Sequence, residues 1–344
     1  MPEAILEPEL PIVDPHHHLW DRRMAPPPPP GPVHPFTTAI EPAQRYLLDE
    51  LLADTGSGHN VIATVFLDCG AFYKADGPVE MRPVGETEFV NGVAAMSASG
   101  LYGPTRACAG IASRADLTLG DGVKAVLEAH IQAGGGRFRG IRNSASWDAD
   151  TEVLGPLNRM QPGYYLRDDM RAGFKHLAPL GLSFDAWLLE PQLPELIDLA
   201  RAFPDTTIIL DHVGTPIGRG SYTGKLEERF PIWRDNIREL AKSQNVVVKL
   251  GGLAMAFCNF PSFLAEPRAP SEQLAKEWSP YIETCIEAFG AERCMFESNF
   301  PVDMGSCSYA TLWNAFKHIA KGASATEKTA LFSGTAGKVY RLAL

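Results

Sequence analysis

The sequence contains no apolar stretch near the ~18–20 residues that a membrane-spanning helix needs, so we expect no span. It is also poor in basic side chains, with 31 Lys and Arg against 41 Asp and Glu and a formal net charge of −10. This balance argues against nucleic acid or an anionic membrane surface as the main partner. The six cysteines lack CxxC spacing and favour reduced, mostly buried thiols over a disulfide framework. The acidic, proline-punctuated N-terminus is atypical of a signal peptide, and we expect a cytoplasmic protein.

Short apolar runs rich in β-branched residues alternate with amphipathic segments along the chain. Eight runs are predicted strands, and they begin at Ile12, Val61, Arg106, Phe138, Leu182, Thr206, Val246 and Arg293. Alternating strands and helices imply parallel βαβ units, and eight units predict an α/β fold of the (β/α)8 TIM-barrel type. An open doubly wound sheet is the alternative architecture. It is disfavoured because no glycine-rich phosphate loop follows an early strand.

One domain accounts for the chain, with residues 1–11 as an N-terminal extension and residues 12–344 as the barrel. A proline-rich insert, residues 24–35, follows the first strand and favours a stiff polyproline II segment. Loops after barrel strands form the catalytic face, so this insert is predicted near the mouth. The alternative is a solvated linker with no role.

Histidines mark the ends of two predicted strands. Alternate strand residues share a face, so His16 and His18 point one way and can converge on one ion or substrate oxygen, whereas His17 points towards the helices. A surface cluster or a tag fragment is the alternative for these three residues, but the apolar strand before them and the Leu19-Trp20 pair after them favour a site. His212 ends the sixth predicted strand and becomes a third convergent imidazole.

Four motifs, DPHHHLWD, IRNSASWDAD, LDHVGTP and FESNFPVD, occur in the order that resembles the amidohydrolase superfamily. The resemblance is to its amidohydrolase-2 branch of lactonases and pyrone-dicarboxylate hydrolases, and it spans the chain from about Val13 to the terminal GTAGKVYRL. It implies a barrel whose members hydrolyse sugar lactones, pyrone dicarboxylates or similar rings, while some relatives decarboxylate aromatic acids. Members of the branch differ in whether they need a divalent metal.

The resembling family ends its last strand in a pattern like GSDWP, whose Asp binds metal or acts as general base. Asn299 stands at that position here and takes up no proton at neutral pH. Glu297 lies two residues earlier on the same inward face, so we interpret it as a displaced carboxylate. The alternative is a buried structural Glu paired with an Arg. Asp303, just past the strand end, is the second candidate, with a loop acid or helix cap as its alternative.

Other residues near predicted strand ends are candidates for binding. Arg142 can hold a substrate carboxylate bidentately, or pair with an acid such as Glu297. Trp187 stands where better-known metal-dependent amidohydrolases carry a histidine, and it either stacks on a planar ring or packs in the core. By resemblance to lactonase relatives Glu86 reaches a metal, although a first-turn helical Glu is the alternative. Lys249 does not suit the role of a carboxylated bridging lysine.

We therefore predict a hydrolase that opens a lactone or related cyclic ester, with an anionic or cyclic-ester small molecule as substrate. The predicted metal ligands are His16, His18, His212 and Glu86, holding zinc or manganese. The predicted catalytic residues are Glu297, Asp303, His212 and Asn299. One alternative is a decarboxylase or hydratase of an unsaturated or aromatic acid, and another is an impaired barrel that binds a ligand. A homodimer is an open option for a barrel of this size.

Overall fold

The computed structural model describes residues 3–25 and 32–344. Eight parallel strands form one sheet in chain order, and each pairs with its sequence neighbours. They are β1 Pro11–His17, β2 Asn60–Leu67, β3 Arg106–Ser113, β4 Phe138–Ser144, β5 Ser183–Trp187, β6 Ile208–Leu210, β7 Val246–Leu250 and β8 Cys294–Phe296. All eight predicted strands are present, which confirms the (β/α)8 barrel.

The sheet closes where the chain leaving β8 meets the end of β1. His18 N donates to Phe300 O at 2.8 Å, and Asn299 N donates to His16 O at 2.9 Å. Closure therefore places the β1 histidines next to the segment that follows β8. A separate antiparallel pair, Trp20–Asp21 with Arg45–Tyr46, lies in the connection after β1.

Helices fill the connections between strands. The α-helices in the described part of the chain are α1 Pro35–Ile40, α2 Leu48–Thr55, α3 Val84–Ala98, α4 Val123–Ala133, α5 Thr151–Leu154, α6 Asp168–Phe174, α7 Leu193–Ala202, α8 Leu226–Leu240, α9 Ser271–Phe289, α10 Tyr309–Ile319, α11 Ala325–Thr329 and α12 Thr335–Val339. In α7 the buried side chains Leu193, Leu196, Ile197 and Ala200 recur at helical spacing and form the buried face of the helix. None of the helices in residues 3–25 and 32–344 combines the length and apolar character needed to cross a membrane.

Two apolar cores hold the barrel together. The larger core lies between the strands and the helices. The smaller core fills the barrel interior with inward strand residues, among them Val13, Val65 and Ile209, and with Tyr340 from the segment after α12. The six cysteines, all within the described residues, are free, and five of them are buried.

Of the proline-rich insert 24–35, residues 26–31 lie outside the described residues. The segment that follows reaches Phe257 after β7, with the rings of Phe36 and Phe257 stacked at 5.5 Å. Helix α1 packs on the turn Asp303–Gly305, where a Cβ on Gly305 would lie 2.7 Å from Ala39 O. The residues beside the insert therefore cover the segment after β8.

Candidate active site

The barrel interior changes from apolar to charged in one step along three neighbouring strands. Inward side chains alternate along a strand, so residues two positions apart stand one above the other. The apolar residue and the charged residue above it are Ile209 and Asp211 at β6, Val247 and Lys249 in β7, and Met295 and Glu297 at β8. The charged layer lies towards the carboxyl ends of the strands, where TIM barrels carry their sites.

Three imidazoles stand on this charged layer. His16 Nε2 and His18 Nε2 are 3.3 Å apart, and the rings of His16 and His212 have centroids 4.6 Å apart. All three residues are at most 3% exposed. His17 turns away from them, with Nε2 2.8 Å from Thr64 Oγ1. The alternation expected for the histidine triplet is therefore present, although β1 itself ends at His17.

Each of these imidazoles has its Nδ1 atom against a protein group. His18 Nδ1 lies 2.8 Å from Leu67 O, and His212 Nδ1 lies 2.7 Å from Glu297 Oε1. The Nδ1 atom of His16 lies 2.8 Å from Glu297 Oε2. The Nε2 atoms are thus the ones available to an ion or a substrate.

Burial, followed by the charge of Lys249, lowers the pKa of His16 well below its ordinary value. Burial, followed by the charge of Arg142, does the same to the pKa of His18. Both rings are therefore neutral near pH 7, which is the form that binds metal ions.

Glu297 lies below the histidines. Its length suggested that its carboxylate reaches the position of the missing Asp, but in the structure it does not extend that far. Its Oε1 accepts from the backbone and ring nitrogens of His212 at 3.1 and 2.7 Å. Its Oε2 faces His16. The carboxylate holds His212 by hydrogen bonds and lies beside His16 on the Nδ1 side of both rings, so it does not point into the space that their Nε2 atoms face.

Lys249 lies at the centre of the charged layer and is fully buried. Its Nζ lies 2.7 Å from Asp185 Oδ1, 3.1 Å from Asp211 Oδ1 and 3.2 Å from His16 Nδ1. Burial alone would lower the pKa of Lys249, but Asp185, Asp211 and Glu297 together raise it above its ordinary value. The ammonium is therefore charged and joins two carboxylates to His16.

Arg142 pairs with Asp211 rather than with Glu297, the acid named in the sequence-based alternative. Its Nε donates to Asp211 Oδ2 at 3.2 Å and its Nη1 donates to Asp68 O at 2.9 Å. The guanidinium lies 5.3 Å from the centroid of the Trp187 ring. Within the described residues Arg142 Nη2 makes no hydrogen bond, and the buried Trp187 Nε1 has no acceptor.

Asn299 and Asp303 form a pair beyond β8. Asn299 Nδ2 donates to Asp303 Oδ1 at 2.9 Å, while the buried Asp303 Oδ2 has no partner among residues 3–25 and 32–344. Burial, reinforced by the charge of Glu297, raises the pKa of Asp303 well above its ordinary value. Asp303 is therefore a stronger base than a surface aspartate.

Glu86 lies outside the group of clustered histidines. It lies in the first turn of α3, which was the alternative predicted for this residue. Its Oε1 accepts from Cys69 N at 3.2 Å and from Ala71 N at 2.8 Å. Burial, followed by the neighbouring charge of Asp68, raises its pKa well above the ordinary value. Glu86 thus orders the loop after β2, and its role as a metal ligand stays a prediction.

A model of the amidohydrolase family matches residues 13–342, almost the whole chain. The chain belongs to the amidohydrolase family. Among its relatives, the uncharacterized protein y4mH of Sinorhizobium fredii is 35% identical over 344 aligned residues, which cover 97% of this amidohydrolase and 99% of the relative.

Two Burkholderia multivorans proteins are also similar to this amidohydrolase. An L-fucono-1,5-lactonase is 27% identical over 210 residues, 60% of this chain and 64% of the relative. An amidohydrolase solved with bound zinc superposes with a TM-score of 0.72 at 23% identity, covering 96% of this chain and 99% of that chain. At that identity the structural match shows the shared fold.

The histidine pair of this amidohydrolase fits a divalent metal. Two nitrogens bound to one tetrahedral zinc ion at the usual Zn–N distance lie roughly 3.3 Å apart, and His16 Nε2 and His18 Nε2 are 3.3 Å apart. The surrounding charges also favour a cation, because the carboxylates of Asp185, Asp211 and Glu297 outnumber the cations of Lys249 and Arg142.

A second grouping of donor atoms in this amidohydrolase consists of His16, Asp211 and His212, whose atoms lie within 4.8 Å of one another. The Lys249 ammonium stands 3.1 Å from Asp211 Oδ1 and 3.2 Å from His16 Nδ1, and its charge would repel an ion there. The Nε2 side of the histidines is therefore the better metal site.

Sequence reasoning did not assign site roles to Asp185, Asp211 or Lys249 in this amidohydrolase. The signal was present for Asp211 and Lys249, because each is a charged residue within or directly after an otherwise apolar inward row. Period-two alternation, which pointed to Glu297, finds Asp211 and Lys249 by the same step from Ile209 and Val247.

Proposed function

We propose that this amidohydrolase hydrolyses a lactone or related cyclic ester that carries a carboxylate. The observation that carries the proposal is the arrangement of His16, His18 and His212, whose Nδ1 atoms all contact protein groups and leave three Nε2 atoms available. Outer partners of this kind orient histidines for metal binding. The L-fucono-1,5-lactonase relative supports a cyclic ester as the substrate class.

We assign the metal to His16 and His18, with His212 as the third residue. Zinc, which the structural neighbour holds, and manganese both accept imidazole nitrogen. When bound, such an ion supplies Lewis acidity to the ester carbonyl and acidity to a water molecule. Substrate binding and proton transfer are assigned to side chains of the protein.

Arg142 and Trp187 are the proposed binding groups for the substrate carboxylate. Arg142 Nη2 and Trp187 Nε1 are donors whose hydrogen-bonding capacity is unused among the described residues, and the two side chains are in contact. Because Asp211 and Asp68 O fix the guanidinium, it loses little conformational freedom when an anion binds.

Asp303 is the proposed proton acceptor for the attacking water. Glu297 is hydrogen-bonded to His212 and lies beside His16 on the Nδ1 side of both rings, away from their Nε2 atoms. Asp303 has one oxygen without a partner among the described residues and a raised pKa. Asn299 holds the other oxygen of Asp303. In this assignment Asn299 positions the base and takes no proton itself.

The test uses purified protein, its metal content by elemental analysis, and a panel of lactones assayed as pairs with and without a carboxylate. We expect ring opening that is lost on chelation, restored by zinc or manganese, and faster for the carboxylated member of each pair. Full activity after simultaneous change of His16, His18 and His212 to Ala would refute the proposal. Release of CO2 from aromatic acids without lactone opening would favour the decarboxylase alternative.

Glu297→Gln separates metal binding from chemistry. The amide presents an N–H to one imidazole Nδ1 and removes a buried negative charge, so we expect metal affinity to fall about 10–100-fold. Competition with a chromophoric chelator measures this affinity. Glu195→Gln is the matched control, because Glu195 accepts backbone N–H groups of Gly163 and Tyr165 well away from the histidines. Unchanged affinity in Glu297→Gln would contradict the orienting role of this residue.

A further inference from the structure

The hydrogen bonds of the histidine pair have a fixed direction. Leu67 O can only accept, so His18 Nδ1 carries the proton and His18 Nε2 carries a lone pair. A hydrogen bond between the two Nε2 atoms, 3.3 Å apart, then requires the proton on His16 Nε2. His16 Nδ1 is left as an acceptor.

Two groups compete for that His16 Nδ1 atom. Lys249 Nζ, which can only donate, lies 3.2 Å away and makes a hydrogen bond to it. Glu297 Oε2, which can only accept, lies 2.8 Å away. While Lys249 holds Nδ1, Glu297 Oε2 has no hydrogen-bond partner among the described residues although it is fully buried.

The opposite arrangement satisfies Glu297 and leaves the Nε2 atoms unsatisfied. The Nδ1–H direction of His16 does not point at Glu297 Oε2 in this structure, although the two atoms are 2.8 Å apart, so this arrangement needs a turn of the ring. If His16 Nδ1 carries the proton and the turned ring donates to Glu297, the lone pairs of His16 Nε2 and His18 Nε2 face each other. Two lone pairs at this distance repel unless a cation accepts both. In each tautomer of the neutral His16 ring one group therefore lacks a partner: Glu297 Oε2 in the first, and the two Nε2 lone pairs in the second. A bound cation favours the second tautomer.

A hydrogen bond to Asp185 fixes the position of the Lys249 ammonium. Asp185 Oδ1 accepts from Lys249 Nζ at 2.7 Å and from Tyr340 Oη at 2.5 Å. All three side chains are completely buried, and Tyr340 enters the barrel interior from the segment after α12. The ammonium therefore stays beside His16 Nδ1 unless His16 Nδ1 pairs with Glu297 instead.

We propose that Lys249, anchored by Asp185 and Tyr340, is a positioning residue that sets the His16 tautomer, and that cation binding transfers His16 Nδ1 from Lys249 to Glu297. The N–H bond at Nε2 breaks and one at Nδ1 forms by exchange with water, so His16 stays neutral and no net proton is released. Lys249 then keeps Asp185 and Asp211 as partners. This inference rests on the metal site of the proposed function.

Nuclear magnetic resonance of histidine-labelled protein tests the proposal without substrate. Long-range ¹H–¹⁵N correlations distinguish Nδ1–H from Nε2–H rings, and loss of a signal in His16→Asn identifies His16. We expect Nε2–H in metal-free wild-type protein and Nδ1–H after zinc is added. His16 Nδ1–H in the metal-free protein would overturn the proposal.

Lys249→Met combined with Asp185→Asn removes one positive and one negative charge and leaves the net charge unchanged. We expect its metal-free His16 to carry Nδ1–H already. We also expect zinc affinity to rise about tenfold, the worth of one hydrogen bond from a charged donor. An Nε2–H ring in this variant would overturn the role of Lys249. If the variant does not fold, the wild-type metal-free tautomer decides alone.

Lys317→Met is the matched control, because Lys317 also donates to a histidine Nδ1, that of His59, at 2.8 Å, and has no contact with His16. It should leave the His16 tautomer and the zinc affinity unchanged, and a change equal to that of the double variant would contradict the proposal. The tautomer is read without turnover. If the His16 tautomer changes when zinc binds but the protein opens no lactone, the proposed function alone is refuted. If the protein opens lactones but the tautomer does not change, this inference alone is refuted.

Discussion

At the residue scale, the position of His212 depends on the absence of a side chain at Gly252. Gly252 follows β7 with a φ of +65°, and a Cβ there would lie 2.4 Å from His212 Nδ1. His212 itself has a φ of +56°, and its ring is held by Glu297 at 2.7 Å. The imidazole has no free direction in which to move, so the absence of a side chain at residue 252 is part of the site.

We expect Gly252→Ala to displace His212 from Glu297 and to lower metal affinity at least tenfold. The free energy of unfolding should fall by about 1–3 kcal/mol, since a non-glycine residue at positive φ is strained and the ring is crowded. Chelator competition and urea unfolding measure the two effects. Gly181→Ala is the control, because Gly181 has a φ of +66° and nothing within 4 Å of its Cβ position. Equal losses of metal affinity in both variants would contradict the steric argument.

Asp303 permits a second prediction at this scale. Asp303→Asn keeps the shape and the contact with Asn299 but removes the basic oxygen, so we expect kcat to fall about 10²–10⁴-fold. Metal content and KM should change little. Steady-state kinetics on a lactone substrate, with elemental analysis, provide the measurement. Asp54→Asn serves as control, because Asp54 is a partly buried carboxyl that, like Asp303, accepts a side-chain hydrogen bond, here from Tyr46.

The sequence led to the histidines, Glu297 and Arg142, but not to the contacts among them or to the roles of Asp185, Asp211 and Lys249. His16, His18 and His212 stand at predicted strand ends, where position alone indicates chemistry. The partner of Arg142 was unforeseen, since pairing with Asp211 instead of Glu297 depends on the three-dimensional spacing of β4, β6 and β8. Lys249 looked like an isolated charge because its three contacts come from other strands.

At the element scale, the end of the proline-rich insert is attached to the barrel through His34. His34 caps α1 by accepting from Phe36 N at 3.1 Å, and its Nε2 donates to Glu152 O at 3.0 Å. A Cβ on Gly155 would lie 2.5 Å from the His34 ring. The seat of His34 therefore holds α1 over the Asp303–Gly305 turn.

Gly155→Ala should unseat His34 and loosen α1. We expect amide hydrogens of residues 36–43 to exchange at least tenfold faster, because the helix loses its cap and its attachment to Glu152. Hydrogen exchange with mass spectrometry gives the rates. Gly163→Ala, at a φ of +75° with nothing within 4 Å of its Cβ position, is the control. Unchanged exchange in Gly155→Ala would show that His34 does not fasten the helix.

Strand order was predictable because parallel strands buried on both faces are continuous apolar runs. All eight runs became strands, and the turn from apolar run to helix marked their ends. The position of the insert after a strand predicts a place near the mouth. The contacts of the segment that follows it were not predictable, since proline content indicates stiffness but not the surface on which a loop rests. Its contact with Phe257 comes from a loop more than two hundred residues away along the chain.

At the scale of the whole molecule, the N-terminal extension joins the first and last parts of the chain. Lys317 in α10 donates to Leu6 O at 2.7 Å, to Glu7 O at 2.8 Å and to His59 Nδ1 at 2.8 Å. Burial lowers the pKa of Lys317 to about 8. The extension is thus fastened by an ammonium that is partly desolvated.

The pH dependence of stability should reveal this contact. Lys317 has a lower pKa in the folded than in the unfolded protein, so between about pH 8 and the ordinary lysine pKa near 10.4 the unfolded chain binds more protons. The free energy of unfolding should therefore rise with pH in this window, relative to Lys317→Met. Urea unfolding of both proteins from pH 7 to 10 gives the difference. A difference that falls or stays flat would contradict the assignment.

The contact of Tyr340 with Asp185 has a consequence for how the protein is made. The histidines of β1 leave the ribosome early, whereas the hydroxyl group that completes the floor beneath them belongs to one of the last segments described. During synthesis a nascent chain displays three adjacent histidines long before Lys249 and Glu297 exist to orient them. If the site holds a metal as proposed, it can select that metal only after the segment that carries Tyr340 has emerged, and an ion captured earlier must be released or exchanged.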